Sequence, residues 1–151
     1  MALQFPPEVM AFVAQHHVMT LATQGDQGPW AAAVFYAMQA DDLIFLSSPQ
    51  TRHCTDLARD ARCAATIQSQ PGDWRAIQGV QIEGRVDKLH GAALAAGRDA
   101  YAQRFPFVRP AGAPPAIVAA LARVRWYRLR VARLWFIDNA RGFGDRRCFD
   151  A

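Results

Sequence analysis

One segment limits the fold more than any other: Trp30-Ala31-Ala32-Ala33-Val34-Phe35-Tyr36-Ala37-Met38 carries no charge and no turn former. So short an apolar run cannot cross a bilayer as a helix, which takes about 20 residues. A run of this kind bounded by turn residues reads as a strand buried in a sheet. Its three consecutive alanines leave room either for a closely packed helix or for a flat ligand against the backbone. Such a strand needs neighbours, and the flanking sequence supplies them.

Upstream, Pro6 and Pro7 open a helix to about Gln15, with Val9, Phe12 and Val13 as its apolar stripe. His17 to Thr23 alternates as a strand, and Gly25–Gly28 turns the chain into the apolar run. Downstream, Ala40-Asp41-Asp42 turns into a strand over Leu43–Ser47, and a short helix runs from Thr51 to about Asp60. Strands follow at Cys63–Gln68 and Ile77–Leu89, the second with Val80, Ile82 and Val86 as its apolar side. His90–Phe105 is alanine-rich and helical. Pro106–Pro115 is a loop with four prolines, and a short helix follows from Ala116 to about Arg123. Arg125–Ile137 is a long last strand, open to a break near Ala132. The tail holds Asp138, Asn139 and the turn Gly142–Gly144. About six strands with too few helices to alternate with them predict a mainly β, antiparallel barrel or sandwich. No repeat or linker divides the chain, so one domain is expected over residues 1–151.

Composition removes other classes. At 52% hydrophobic and 20% charged, the chain is expected to fold. Neither a membrane span nor a signal peptide is expected, because no long apolar run or basic leader occurs. Cys54, Cys63 and Cys148 are widely spaced and form no CxxC pair. A disulfide framework and a zinc site are therefore not expected, and a reducing cytoplasm fits. The net charge of +4 admits a nucleic acid or an anionic small ligand. The arginines from Arg123 to Arg133 alternate with Trp, Tyr, Leu and Val at strand period. That favours a solvated sheet face over a nucleic-acid arm. His16 and His17 are adjacent and point apart, so no metal site is expected.

Chemistry concentrates in Ser47-Ser48-Pro49-Gln50-Thr51-Arg52-His53, where an apolar strand ends in hydroxyls and feeds a helix. The first amides of a helix lack intrahelical partners and its dipole is positive there, which suits a phosphate. Ser47, Ser48 and Thr51 bring hydroxyl donors, and Arg52 a forked guanidinium. The residues alone leave a plainer alternative open, in which Ser48 or Thr51 caps the helix and Arg52 is a solvated charge.

Taken in order, the segments "HVMTLATQGDQGPWAAAVFYA", "LIFLSSPQTRHCTDLARDARCAATI" and "IQGVQIEGRVDKL" resemble the FMN-binding split-barrel family related to pyridoxamine 5'-phosphate oxidase. The likeness runs from His17 to Cys148. It is closer still to a small bacterial subfamily, through His17, Thr20, Thr51–His53, Gly79–Gln81, Arg104–Pro106 and Asp138–Gly144. The resemblance implies a six-stranded antiparallel Greek-key split barrel with peripheral helices. It implies a flavin ring along Ala32, Ala33, Val34, Phe35 and Tyr36, contacted mostly by backbone. The FMN phosphate would be held at Ser47 and Arg52, with His53 standing where the oxidases often carry a lysine. Gln81 follows by two residues the position of a flavin-facing glutamine, which here is Gly79. The family is dimeric with the flavin between chains, so the resemblance also implies that the last strand and Asp138–Gly144 help to close the site.

On this reading the protein is an FMN-dependent oxidoreductase of an unidentified small molecule, with FAD as a variant cofactor and no catalytic residue assignable. A binding module for a flavin, a deazaflavin or haem is the alternative, with His17 or His53 as a haem ligand. Efficient pyridoxamine phosphate oxidation is not expected. The oxidases close with an R-L-x-P motif absent here and carry a longer N-terminus, although Arg104 and Arg109 remain candidates for a second anion.

Overall fold

A computed structural model describes residues 5–150; Met1–Gln4, on which the reading of a leader-free N-terminus partly rests, and Ala151 lie outside it. Eight strands form one sheet: β1 Val18–Gly25, β2 Gly28–Phe35, β3 Ala37–Gln39, β4 Asp42–Ser47, β5 Arg62–Gln68, β6 Gln78–Lys88, β7 Arg125–Asp138 and β8 Arg146–Asp150. The order is β2-β1-β5-β6-β7-β4-β3, with β8 added on β7, and every pairing is antiparallel. Helices α1 Pro7–Gln15, α2 Arg52–Arg59, α3 Gly91–Arg104 and α4 Pro115–Arg123 lie around it. The class is the expected mainly β split barrel, with two strands more than expected.

Both extra strands have a physical cause. The apolar run Trp30–Met38 is two strands, because Tyr36 breaks it. The Tyr36 side chain is fully buried, and its hydroxyl donates to the Val13 carbonyl of α1 at 2.5 Å. Its amide donates to the His17 carbonyl at 3.0 Å. The kink at Tyr36 therefore joins β2 and β3, which stand at opposite ends of the strand order, so the sheet must curl on itself. Closure stays incomplete. β3 pairs only with Asp42–Ile44 of β4, while β2 passes within 8 Å of β4 between Cα atoms without a ladder. The other extra strand, β8, pairs with Arg133–Ile137 of β7.

The reading of Trp30–Met38 as a buried strand is corrected. β2 pairs with β1 alone. Ala31, Ala33 and Phe35 face solvent on its outer side, and Trp30 is 41% and Phe35 50% exposed. The expected break near Ala132 is a bulge instead. β7 runs unbroken, but its register against β6 shifts between Glu83 and Gly84, leaving Ala132 without a partner. Gly84 is needed there, since a Cβ would stand 2.3 Å from the Arg130 carbonyl oxygen.

The core has two parts. The barrel interior is filled by Met19, Leu21, Leu43, Phe45, Ile67, Ile82, Leu129 and Leu134 with the buried face of α1. A second cluster joins Tyr101 of α3 and Phe105 just after it to Ile44, Leu89 and Trp126 on the outer side of the β4–β7 region. Helix α2 is fastened to β1: the Thr23 hydroxyl donates to Asp56 Oδ2 at 2.8 Å, both residues buried. Asp56 lies so close to Gly25 that a Cβ there would fall 1.9 Å from its Oδ1.

Candidate functional site

The split between β2 and β4 ends at the N-terminus of α2, and the hydroxyl-rich turn sits at its mouth. Thr51 is the N-cap, its Oγ1 accepting from the Cys54 amide at 3.4 Å. The same hydroxyl donates to the Ser48 carbonyl at 2.8 Å. His53, buried, places Nε2 at 2.7 Å from Ser47 Oγ and 3.3 Å from Thr51 Oγ1. Ser48 Oγ accepts from the Gln50 amide at 3.4 Å. Ser47, Thr51 and His53 thus converge on one point at the positive end of the helix, beside amides that the helix leaves unpaired.

Arg52 reaches across to the β1–β2 hairpin. Its Nη2 donates to the Gln27 carbonyl at 3.1 Å, and its guanidinium lies 4.4 Å from the centroid of the Trp30 ring. Its Nε is buried without a hydrogen-bond partner. Trp30 and Gln27 were not singled out from the sequence. Only the hairpin pairing, which sets Trp30 opposite Thr23, puts them beside α2.

The five β2-region residues divide by the pleat. Ala32 and Val34 stand opposite Leu21 and Met19, which are fully buried, so they face the barrel interior. Ala33 and Phe35 are on the bare outer side. Tyr36 is engaged with α1, and burial raises its phenol. Gln81 is on the outer side too. Register carries one row through Ala33, Thr20, Thr66, Gln81, Trp135 and Cys148. Three inter-strand steps separate Ala33 from Gln81, about 14 Å at the usual spacing. Gln81 therefore shares a face with the second strand but lies apart from the turn.

Two thiols differ sharply. Burial pushes the Cys63 thiol up to about 12. Burial acts on Cys54 in the same sense, but His53, Thr51, Tyr127 and Ser47 around it outweigh that and bring it down to about 7. Arg104, a candidate for a second anion, donates Nη2 to the His16 carbonyl, and its Nε, like that of Arg52, is buried without a partner. Arg109 lies elsewhere, at the α3–α4 connection. In the tail, buried Asn139 donates to the Trp74 carbonyl at 2.9 Å and accepts from the Gly144 amide at 3.0 Å. That contact holds Phe143, 83% exposed, edge-on to the Trp74 ring at 5.6 Å. No group of three or more metal-ligating side chains occurs among the described residues.

The residues present fit a flavin nucleotide. The turn offers a phosphate the unpaired first amides of α2 and the donor left over from the Ser47–His53 pair, the buried Arg52 Nε lacks an acceptor, and Ala31 and Ala33 are small on the outer side of an edge strand. This is an open antiparallel barrel with an anion-suited turn at its seam. Residues 5–138 match the family described as pyridoxamine 5'-phosphate oxidase, and the chain belongs to that family. The UPF0306 protein YhbP of Escherichia fergusonii is 31% identical over 140 residues, covering 91% of this chain and 88% of that protein. Among solved structures, a haem binding protein from Mycobacterium smegmatis superposes with a TM-score of 0.76 at 26% identity over 95% of this chain. This chain spans 56% of that protein's length. A FAD-binding protein from Mesorhizobium loti gives a TM-score of 0.66 at 17% identity, covering 84% of this chain and 87% of that one. At that identity the likeness shows the fold alone.

Proposed function

We propose that this protein binds FMN as a homodimer, with the phosphate at the Ser47–His53 turn and the ring against β2. The observation that carries this reading is the convergence of Ser47, Thr51 and His53 on the N-terminus of α2, next to an unpaired strand edge. Arg52 supplies the charge, and its unpartnered Nε gains an acceptor when a phosphate arrives. Ala33 and Phe35 leave a shallow outer surface for the ring and for a second chain. Exposed Val18 and Phe35, paired across β1 and β2, form an apolar patch of the kind that association covers. When bound, the flavin supplies the redox chemistry, and the protein orients it against a small-molecule substrate. Gln81 and the tail turn at Phe143 stand on surfaces that a partner chain brings toward that ring. The cysteines are unpaired, which fits a reducing cytoplasm.

A haem reading has one specific observation in its favour, the mycobacterial haem binding protein at 26% identity. His53 is poorly placed for it because Ser47 holds its Nε2. His17, exposed with its ring 5.9 Å from that of Phe105, is the available imidazole.

Titration of the purified protein with FMN and with riboflavin tests the proposal. Arg52→Ala should weaken FMN about 10- to 100-fold, the size of a lost charge-assisted contact, and riboflavin less than twofold. Equal loss for both ligands contradicts the phosphate assignment. A Soret band on adding haem, with no flavin binding, replaces FMN by haem.

A further inference from the structure

Away from the split, α3, α4 and the connection between them line a half-open cavity of about 610 Å³. Its volume is in the range of small-molecule sites. The walls are apolar: Val108 and Trp126 are buried, and Ala102, Leu121 and Val118 complete them. Two guanidiniums, of Arg98 and Arg109, stand at its rim. Arg98 lies 5.7 Å from the centroid of a Trp126 ring, and neither arginine has a carboxylate within ion-pair distance among the described residues. Asp99 is also at the rim and pairs with neither, so one positive charge stays uncompensated.

Arg85, Arg123, Arg125 and Arg146 also lack an ion pair among the described residues, and what sets Arg98 and Arg109 apart is the apolar cavity they line. On the β6–β7 surface, Arg128 and Arg130 converge on Asp87, and Arg133 pairs with Asp150 and Glu83. Arginines held by carboxylates need no further ligand. Those at the α3–α4 cavity are left free above an apolar floor. Pro106, Pro110, Pro114 and Pro115 restrict the backbone of the connection.

We propose that this cavity binds an amphipathic monoanion, a carboxylate or sulfonate carried on an aromatic or aliphatic body. The apolar body lies against Trp126, Leu121 and Val108, and the anionic group is held by Arg98 and Arg109. None of these residues belongs to the flavin site, so the proposal does not rest on the flavin reading.

The test uses 8-anilinonaphthalene-1-sulfonate and its uncharged counterpart N-phenyl-1-naphthylamine, with and without saturating FMN. One sulfonate probe per chain should bind with enhanced fluorescence, and FMN should not displace it. The double substitution Arg98→Gln with Arg109→Gln should weaken the sulfonate at least tenfold and the uncharged probe less than threefold. Both arginines are exposed, so folding should be unaffected, which the unfolding midpoint checks. Val118→Trp, at a half-exposed wall position, should exclude both probes. Sulfonate binding that survives the arginine substitutions, ignores Val118→Trp or is displaced by FMN overturns the proposal and places the probe on the open outer side of β2. Absence of probe binding overturns it as well.

Discussion

The two ends of the sheet are treated differently by the chain. At the β3–β4–β7 end, α3 lies on the outer face, and Ile44, Leu89, Tyr101 and Trp126 form a core of their own. Gly97 lets the helix approach, since a Cβ there would stand 2.7 Å from Leu89. At the β2–β1 end no helix lies on the outer face among the described residues, and the Phe105 ring, 5.4 Å from that of Phe35, touches only its margin. Val18 and Phe35 are 44% and 50% exposed, and β2 has a free edge. Both ends are apolar in sequence, but the chain covers one with a helix and leaves the other largely bare. An uncovered apolar edge strand is an association hazard that folded proteins ordinarily blunt with charge or proline. Here Pro29 blunts only the start of β2, and Ala31, Ala32, Ala33, Val34 and Phe35 carry neither. The proposed flavin and second copy would supply a cover for this end from outside the chain.

The largest expected effect is at the covered end. Ile44→Ala removes a fully buried side chain and should cost about 2–5 kcal/mol in chemical unfolding. A cost below 1 kcal/mol would mean that α3 does not seal that face. Next comes the tie between α2 and β1. Thr23→Val keeps the volume but leaves Asp56 buried without its donor, for about 1–3 kcal/mol. FMN affinity should fall with it, because the turn rides on α2. The smallest effect on the isolated chain is at the bare end. Ala33→Glu should change monomer stability by less than about 0.5 kcal/mol, yet convert the proposed dimer to monomer in light scattering, because a partner would bury the new charge unpaired. A strongly destabilised monomer would show that the outer side of β2 is already covered within the chain.

Much of the fold was legible because it follows from local rules. β5 reads directly, its apolar residues alternating with exposed ones. Pro7 and Pro115 sit at the first turns of α1 and α4, where their lack of an amide proton does no harm. What the sequence hid depends on distant contacts. Nothing local marks Tyr36 as a break, since its cause is a hydrogen bond to Val13 on another element. β8 is too short and charged, as Arg146-Arg147-Cys148-Phe149-Asp150, to stand out from a tail. Burial of Trp30–Met38 was misjudged because an apolar run does not reveal whether its strand is central or at an edge. At the turn, residue types were enough to mark Ser47 and Thr51, and the resemblance added His53, which the structure places against both. Neither could show that Arg52 stacks on Trp30, nor that Arg104 is engaged by a carbonyl 88 residues away.

Amide hydrogen exchange on the β2 peptide, residues 28–36, against the β5 peptide, residues 62–68, tests the central claim most directly. Without ligand and at high dilution, β2 should exchange much faster than β5, because it has one ladder and a bare outer face. Saturating FMN at concentrations that favour the dimer should slow β2 strongly and leave β5 unchanged. FMN binding that leaves β2 exchange as fast as before would contradict the account.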